Sequence, residues 1–538
     1  MSRSSAAAKK KMKSAVPGGD VTAGSDFRKL IYRGIAVYIL SFIFFALFAR
    51  IGIDPHHDGV MMIPAFEVAK GNVVFRDVFC QYGLLVPLLQ GLAVAFFGAE
   101  LIVIRLLTVF FYAGSAVLLD LLWRRFLPAK LSYFTPVLFC LISSCTMVTF
   151  HSWNSAYALF FMLLSAYFLL RYFESGKSWW CWLLFSGISA GLTWGSRTPC
   201  GVVTFFAAVL ILLGLNWFTG KSRRRVIFEA GIFAGGGLLI ALSALMYILF
   251  TGSWSDFINQ NFAYAVNFAH QRGAGGSWQY FCDCLFPFYQ EEFWYCNAFF
   301  ALMPLGAMVM LYFSVRRGFL EGRDEMKKQL PFAALLIIGL GSWHQYYPVP
   351  CVRHLFWGGA PLLGAYLLML YRLFVRRNFV GKLGALILVV VLLLAFYPRF
   401  WGIFNRLEFN ERQASTVPGI RGIRLNNYER GIVDMVDIAN KLPAPLLRNG
   451  VVNWSESSLF TLMLPRSGFK DRQFYRGDFY PYPDYDQKVA EYILLHRCPV
   501  LVDHDVMLPG YLVVAEKEYM GNNFRLLIPG EFLSKKVY

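Results

Sequence analysis

The sequence predicts an all-α polytopic membrane bundle followed by a small α/β C-terminal domain, and three observations carry this prediction. Of 538 residues, 57% are hydrophobic and only 16% are charged, whereas soluble domains are about 25% charged. The apolar residues form repeated runs long enough to cross a bilayer core of about 30 Å. Beyond residue 402 the apolar runs are short and alternate with polar, proline-punctuated stretches, which is typical of strands and helices outside the bilayer.

The first 29 residues predict a disordered basic cytoplasmic tail. Four lysines lie among small and polar residues at positions 9–13, and Pro17-Gly18-Gly19 follows them. Such a composition cannot bury enough apolar surface to fold. The next run, about residues 31–53, is long enough to span the membrane. It lacks a short apolar region with a small-residue cleavage site, so we interpret it as a retained signal anchor.

Ten further apolar runs predict transmembrane helices, so residues 30–402 form a membrane domain with about eleven spans. The runs cover about residues 101–123, 131–150, 153–173, 179–196, 199–218, 226–251, 294–315, 330–347, 354–374 and 379–400. The apolar run at residues 84–98 is shorter than the roughly 20 residues that a span requires. We interpret that run as an interfacial or re-entrant helix.

The basic residues predict the orientation of the bundle. The net charge is +18, and the basic residues lie in short clusters between spans. Because successive spans cross the membrane in opposite directions, every cluster falls on the same side as the basic tail. This positive-inside pattern places the N-terminus on the cytoplasmic side. The membrane it fits best is the bacterial inner (plasma) membrane. The first loop, residues 54–83, and the C-terminal domain, residues 403–538, are then extracytoplasmic. Binding of nucleic acid would need a continuous basic face, and these clusters exclude it.

Ionisable residues concentrate in the first loop and at the outer ends of the predicted spans. The loop gathers Asp54, His56, His57 and Asp58 within five positions, while the span interiors carry almost no charge. Charges near mid-membrane usually mark ion or proton pathways. Their scarcity argues against a coupled transporter and favours a site at the outer interface, where the headgroup of a lipid would be presented.

The order of motifs in and after this loop resembles the GT-C superfamily. The motifs are Asp58-Gly59, Ala65, Gly71, Phe75-Arg76-Asp77, Gly83, Pro87, Gly98 and Arg105-Leu106. The resemblance covers about residues 54–106, and the topology with an outer C-terminal domain extends it loosely over the chain. The sequence departs from the family in the spacing of Asp54 and Asp58, which enclose two histidines where many members have a tighter acidic pair.

The resemblance implies a GT-C-like fold and a membrane glycosyltransferase that takes its sugar from a polyprenyl-phosphate carrier. Protein O-mannosyltransferases and the aminoarabinose transferase of lipid A are enzymes of this type. It also implies an acidic general base in the first loop, for which Asp58 is favoured by position and Asp54 is second. A carboxylate can take the proton of an acceptor hydroxyl as that oxygen attacks the anomeric carbon, with inversion. The other interpretation is that both are ordinary solvated loop acids.

The leaving polyprenyl phosphate needs fixed cationic donors near the membrane surface. The candidates are Arg353, His354, Arg197, Arg105 and Arg272. For each arginine the other interpretation is a side chain that snorkels to the interface. His56 and His57, with Asp54 or Asp58, are candidate ligands of a divalent metal, although the sequence requires no cofactor.

Other functions remain open at this point. A transporter or flippase of lipid-linked sugars, a ligase or phosphotransferase on the same lipid pool, and a structural or sensory membrane protein are alternatives. A flippase needs polar groups along an interior path, which this chain lacks in its predicted spans. The predicted partners are the lipid bilayer, the lipid-linked donor and a glycan, lipid or protein acceptor, and the sugar itself is not specified.

Overall fold

The computed structural model describes residues 25–146, 150–175, 179–271, 298–346, 352–376, 378–406, 412–476, 482–519 and 521–534. Up to residue 406 the regular elements are helices. They are α1 (Ser25–Ala49), α2 (Pro55–Ala69), α3 (Leu85–Phe97), α4 (Leu101–Trp123), α5 (Ala129–Ser132), α6 (Phe134–Thr146), α7 (Asn154–Glu174), α8 (Trp179–Ser196), α9 (Thr198–Leu210), α10 (Arg223–Phe250), α11 (Trp254–Ile258), α12 (Tyr264–Gln271), α13 (Ala298–Glu321), α14 (Arg323–Ser342), α15 (Val352–Gly359), α16 (Leu363–Val375) and α17 (Phe379–Arg406). Single π or 3-10 turns lie at Ile211–Leu215, Trp217–Thr219, Asn259–Ala263, Trp343–Tyr346 and Ala360–Leu362.

Within the described residues, eight helical segments are long and apolar enough to cross a membrane, so the chain is a multi-pass membrane protein. They are Phe27–Ala49, Leu101–Trp123, Asn154–Glu174, Thr198–Thr219, Arg223–Phe250, Ala298–Glu321, Arg353–Val375 and Phe379–Phe396. Helices α6, α8 and α14 occupy the other three predicted spans. Helix α6 has only 13 residues, short of the roughly 20 that a span requires. The predicted count of about eleven spans therefore stays a prediction.

Helices α8 and α10 pack closely because glycines lie at their contact. A Cβ atom on Gly187 would lie 1.9 Å from the carbonyl oxygen of Phe233, and one on Gly236 would lie 2.4 Å from that of Leu184. Small residues let membrane helices approach closely, and this packing replaces the hydrophobic driving force that lipid does not provide.

Several helix ends meet at one end of the bundle, which we call the site end. Arg105, near the start of α4, donates to the carbonyl of Ala49 at the end of α1. Asn154, the first residue of α7, donates to the carbonyl of Ser196 at the end of α8. The first loop lies at this end and contains α2. Helix α3 occupies the predicted interfacial run.

The C-terminal region, residues 412–534 where described, contains the predicted mixture of helices and strands. Its elements are β1 (Gln413–Ala414), β2 (Arg424–Leu425), α18 (Asn427–Asn440), α19 (Ala444–Leu447), β3 (Val452–Trp454), α20 (Phe460–Met463), α21 (Tyr485–His496), β4 (Val500–Val502), β5 (Tyr511–Tyr519), β6 (Asn522–Pro529) and α22 (Glu531–Ser534). In this part of the chain a mixed sheet has the order β3-β4-β6-β5. Strands β3 and β4 are parallel, whereas β6 is antiparallel to both β4 and β5.

The C-terminal region packs directly on the start of the first loop. The Leu459 amide donates to the Pro55 carbonyl at 2.9 Å, and the Tyr519 hydroxyl donates to the Ile53 carbonyl at 3.2 Å. Gly59 allows this contact, because a Cβ atom there would lie 2.1 Å from the Leu459 nitrogen. The sheet region therefore holds the first loop against the site end of the bundle.

Candidate functional site

Asp54 lies at the N-cap of α2, and the local sequence explains its orientation. Pro55 begins the helix with a preset φ angle, and the Asp54 carboxylate accepts from the His57 amide at 3.0 Å and from His57 Nδ1 at 2.8 Å. Burial opposes ionisation of Asp54, but the hydrogen bonds from His57 and the nearby His57 and His151 rings outweigh it. They hold the pKa of Asp54 well below its usual range, so the carboxylate is ionised at neutral pH.

Asp58, one helical turn further, is fully buried in an ion pair with Arg105. Asp58 Oδ2 accepts from Arg105 Nη2 at 2.7 Å and from the Asp54 amide at 2.8 Å. Arg105 Nη1 also donates to the carbonyls of Ala49 and Gly52, each at 3.0 Å. Burial raises the pKa of Asp58 to about 6, although the Arg105 charge opposes this shift. The pair joins α1, α2 and α4 beneath Asp54.

His151 connects Asp54 with a cation from another helix. His151 Nε2 lies 4.0 Å from Asp54 Oδ2 and 2.9 Å from Arg353 Nη1. Because a guanidinium only donates hydrogen bonds, Nε2 must accept and the ring proton must reside on Nδ1. Burial lowers the pKa of His151 well below its usual value, so the ring is neutral.

Aromatic rings pack around His57, the hydrogen-bond partner of the Asp54 carboxylate. The centroid of the His57 ring lies 5.1 Å from that of His151 and 5.2 Å from that of Trp153. Trp153 lies 5.3 Å from Tyr82, a residue at the end of the first loop. Burial raises the pKa of Tyr82 to about 12, while the charges of Arg197 and Arg353 oppose the shift. Both arginines are therefore close enough to act electrostatically on this group of rings.

The predicted phosphate-binding residues have different partners in the structure. Arg197 donates to Ser155 Oγ and, at 3.3 Å, to Gln345 Oε1, which places it beside the start of α7. Arg353 contacts His151 as described above. Arg105 is committed to Asp58. The His354 ring lies 5.6 Å from that of Trp357, and Arg272 lies outside the described residues.

The candidate metal ligands have protein contacts of their own. His56 Nδ1 lies 2.7 Å from the Glu456 carbonyl of the C-terminal region, and its ring lies 5.5 Å from that of Tyr475. His57 Nδ1 is directed at Asp54. Among the residues that the structure describes, no group of three or more His, Cys, Asp or Glu side chains has the geometry of a metal site.

Sequence reasoning did not assign roles to His151, Trp153 and Tyr82, which complete this site. His151 did carry a signal, since it is an ionisable residue at the outer end of a predicted span. Trp153 and Tyr82 carried none, because aromatic residues are common at membrane interfaces.

The site favours an anion. Helices α2, α7, α9 and α15 all begin here, and helix N-termini carry partial positive charge. Arg197 and Arg353 add two full positive charges, whereas Asp54 already interacts with His57. An anionic headgroup would thus find both oriented backbone dipoles and guanidinium donors at the site end.

Comparison with known proteins shows similarity of fold. No family model and no curated protein matches this sequence. The structure of ArnT from Cupriavidus metallidurans bound to undecaprenyl phosphate matches with a TM-score of 0.53 and 12% identity, covering 92% of this chain and 97% of that chain. The apo oligosaccharyltransferase from Archaeoglobus fulgidus matches with a TM-score of 0.52 and 12% identity, covering 88% and 70%.

A further structure of the archaeal enzyme contains two bound molecules. AglB from Archaeoglobus fulgidus, in complex with an inhibitory peptide and a dolichol-phosphate, matches with a TM-score of 0.50 and 12% identity over 89% of this chain and 70% of that chain. The similarities cover 88–92% of this chain, so the fold is shared over most of its length.

Proposed function

We propose, from the premise that this chain has the GT-C fold, that it transfers a sugar from a polyprenyl-phosphate carrier to an acceptor on the extracytoplasmic face. The observation that carries the proposal is the position of the Asp54 carboxylate beside His151 and Arg353. A basic group and a cationic group thus occupy one site. The similar ArnT and AglB structures contain undecaprenyl phosphate and dolichol-phosphate respectively, which supports a carrier of this class.

Asp54 is the general base in this proposal. It is ionised, and its carboxylate is not paired with an arginine, whereas Asp58 is held by Arg105. The acceptor hydroxyl transfers its proton to Asp54 while its oxygen forms a bond to the anomeric carbon. Attack from the face opposite the phosphate inverts that carbon. Asp58 and Arg105 act indirectly, by fixing the turn that presents Asp54.

Arg353 and Arg197 receive the leaving group. As the bond between the anomeric carbon and the phosphate oxygen breaks, its electrons remain on the phosphate. Guanidinium donors and helix N-termini stabilise this developing charge most effectively in a site from which water is excluded. Arg105 is not needed for this role, because its Nη1 and Nη2 already donate to two backbone carbonyls and to Asp58 Oδ2.

The test is transfer of labelled sugar from a panel of polyprenyl-phosphate sugars by the purified protein and its variants. We expect Asp54→Asn to lower the transfer rate at least about 100-fold, the usual range for loss of a general base, with an unchanged unfolding temperature. Asp77→Asn is the matched control. Asp77 is an acid of the same loop, paired with Arg76, and its loss should leave the rate within about twofold of wild type because the pair is exposed.

Two outcomes would contradict the proposal. Transfer by Asp54→Asn at the wild-type rate would exclude Asp54 as the base. If the wild-type protein consumes no carrier but moves labelled lipid between leaflets of liposomes, the chain is a flippase. The same assay with and without a chelator decides whether transfer requires a divalent ion.

A further inference from the structure

Four consecutive residues before and at the start of α7 have buried polar atoms without a hydrogen-bond partner in the described part of the chain. The atoms are His151 Nδ1, Ser152 Oγ, Trp153 Nε1 and Asn154 Oδ1. Each of these residues is at most 8% exposed. Leaving a buried polar atom unpaired is costly, and folded proteins almost always supply a protein, water or ligand partner. Such atoms on four successive residues indicate a binding function.

A fifth unpaired atom belongs to the same place. Gln90 of α3 is fully buried and donates through Nε2 to the carbonyl of Ser152 at 3.0 Å, while its Oε1 is unpaired in the described structure. The His57 ring contacts the rings of His151 and Trp153, and His151 contacts Arg353. His151 and Trp153, which carry two of the unpaired atoms, therefore adjoin His57, the partner of the proposed base, and His151 also contacts the proposed phosphate donor.

The chemistry of these atoms identifies the kind of ligand. His151 Nδ1 and Trp153 Nε1 are donors, Asn154 Oδ1 and Gln90 Oε1 are acceptors, and the Ser152 hydroxyl is both. A phosphate would use donors alone. A hydroxyl group both donates and accepts, so a ligand with several hydroxyls matches the mixed set, and the set carries no charge. The Trp153 and Tyr82 rings provide the apolar surface that small-molecule sites usually combine with a few polar groups.

We propose that residues 151–154 together with Gln90 bind the sugar of the lipid-linked donor, and that this sugar is a neutral one with free hydroxyl groups. The proposal rests on the proposed function for the identity of the donor. It divides the site into a sugar subsite at residues 151–154 and Gln90 and a phosphate subsite at Arg353 and Arg197.

The test is equilibrium binding to the purified full-length protein of polyprenyl phosphate with and without an attached neutral hexose. We expect wild type to bind the hexosyl lipid about tenfold more tightly than the bare lipid, in proportion to the extra buried hydrogen bonds. Ser152→Ala and Trp153→Phe should each remove most of this preference while the affinity for bare polyprenyl phosphate stays unchanged. Ser152→Ala changes the packing volume little, and Trp153→Phe keeps an aromatic ring, although a smaller one.

Thr135→Val is the matched control. Thr135 Oγ1 is also buried and unpaired in the described chain, but Thr135 lies in the first turn of α6, at the end of that helix far from residues 151–154. Its loss should not change either affinity. The binding measurement does not depend on turnover. If the protein transfers no sugar, the proposed function is contradicted, but the binding data still test the sugar subsite.

Several results would overturn the proposal. Equal affinity of wild type for the hexosyl and bare lipids would do so, as would variants that retain the full preference. An equal loss for both lipids would place the phosphate at residues 151–154. Tighter binding of a carrier with an amino sugar or a hexuronic acid would overturn the assignment of a neutral sugar.

Discussion

Asp58 and Arg105 are both fully buried, and their side chains join three helices at the base of the first loop. The cost of removing two charges from water is comparable to the attraction gained by pairing them. The pair is therefore better explained by its effect on the position of Asp54 than by a contribution to the free energy of unfolding. It fixes the turn after α1 so that Asp54, and not Asp58, faces His151.

This interpretation predicts a specific pattern of unfolding free energies. Arg105→Met leaves Asp58 as an uncompensated buried charge and should destabilise the protein by about 3–5 kcal/mol. The double variant Asp58→Leu, Arg105→Met removes both charges and should recover most of that loss. Thermal or denaturant unfolding of the purified protein in detergent measures both. Equal destabilisation by the single and double variants would contradict the interpretation.

Arg353 offers a second prediction at the level of single residues. Arg353→Gln should raise the KM for the lipid-linked donor roughly 10- to 100-fold, since a charge-assisted hydrogen bond contributes about 1.5–3 kcal/mol. Arg353→Lys should recover part of this effect because it restores the charge but not the fork of donors. Arg76→Gln removes an exposed arginine of the first loop and serves as the control, with an unchanged KM. Steady-state transfer kinetics make the comparison.

The charged residues of this site are evident in the sequence, but their separate roles are not. Asp54 and Asp58 are both acids of one loop in the sequence. They differ because Asp58 meets an arginine 47 positions away, and no local pattern encodes that contact. The same limit applies to His151, whose partner Arg353 is 202 positions distant.

At the level of elements, the docking of α2 on the C-terminal region depends on Gly59. We expect Gly59→Ala to lower the free energy of unfolding by about 1–3 kcal/mol, the usual cost of overpacking. It should also lower the transfer rate, because α2 carries Asp54 at its start. Unfolding and transfer assays on one preparation measure both effects.

Gly431→Ala is the control for Gly59→Ala. Gly431 lies within helix α18, and a Cβ atom there would meet no atom within 4 Å. That substitution should stabilise the helix by up to about 1 kcal/mol. A Gly59→Ala protein as stable and active as the Gly431→Ala protein would show that the contact with Leu459 is not required.

Most helices could be predicted from hydropathy, because length and apolar composition decide whether a segment can span a bilayer. The short run at residues 84–98 was also identified, and it forms α3 at Leu85–Phe97. Strands β3 and β4 have three residues each. Segments of that length contain too few side chains for alternation to reveal their register or their parallel pairing.

At the level of the whole molecule, the orientation in the membrane is testable. Met507 in the C-terminal region is 98% exposed, and Leu320 at the far end of α13 is 74% exposed. Positive-inside orientation predicts that a membrane-impermeant maleimide labels Met507→Cys in intact cells. Leu320→Cys should be labelled only after permeabilisation, each signal being compared with the unsubstituted protein. The reverse labelling pattern would contradict the orientation.

The GT-C fold was predictable from motifs over about a tenth of the chain, residues 54–106. The similarity over most of the chain became visible only in the comparison of structures, since sequence identity to the similar structures is only 12%. A fold can persist at this level because helix packing needs the volume and polarity of side chains to be kept, and tolerates much change in their identity.

The contact between the first loop and the C-terminal region also sets the order of events during biosynthesis. His56 and its partner Glu456 are 400 residues apart. At a synthesis rate of roughly 5–20 residues per second, the first loop waits about 20–80 seconds for that partner. Throughout this interval the nascent chain exposes Asp54 and its neighbouring histidines without their cover, so the candidate site is complete only once synthesis has passed residue 459.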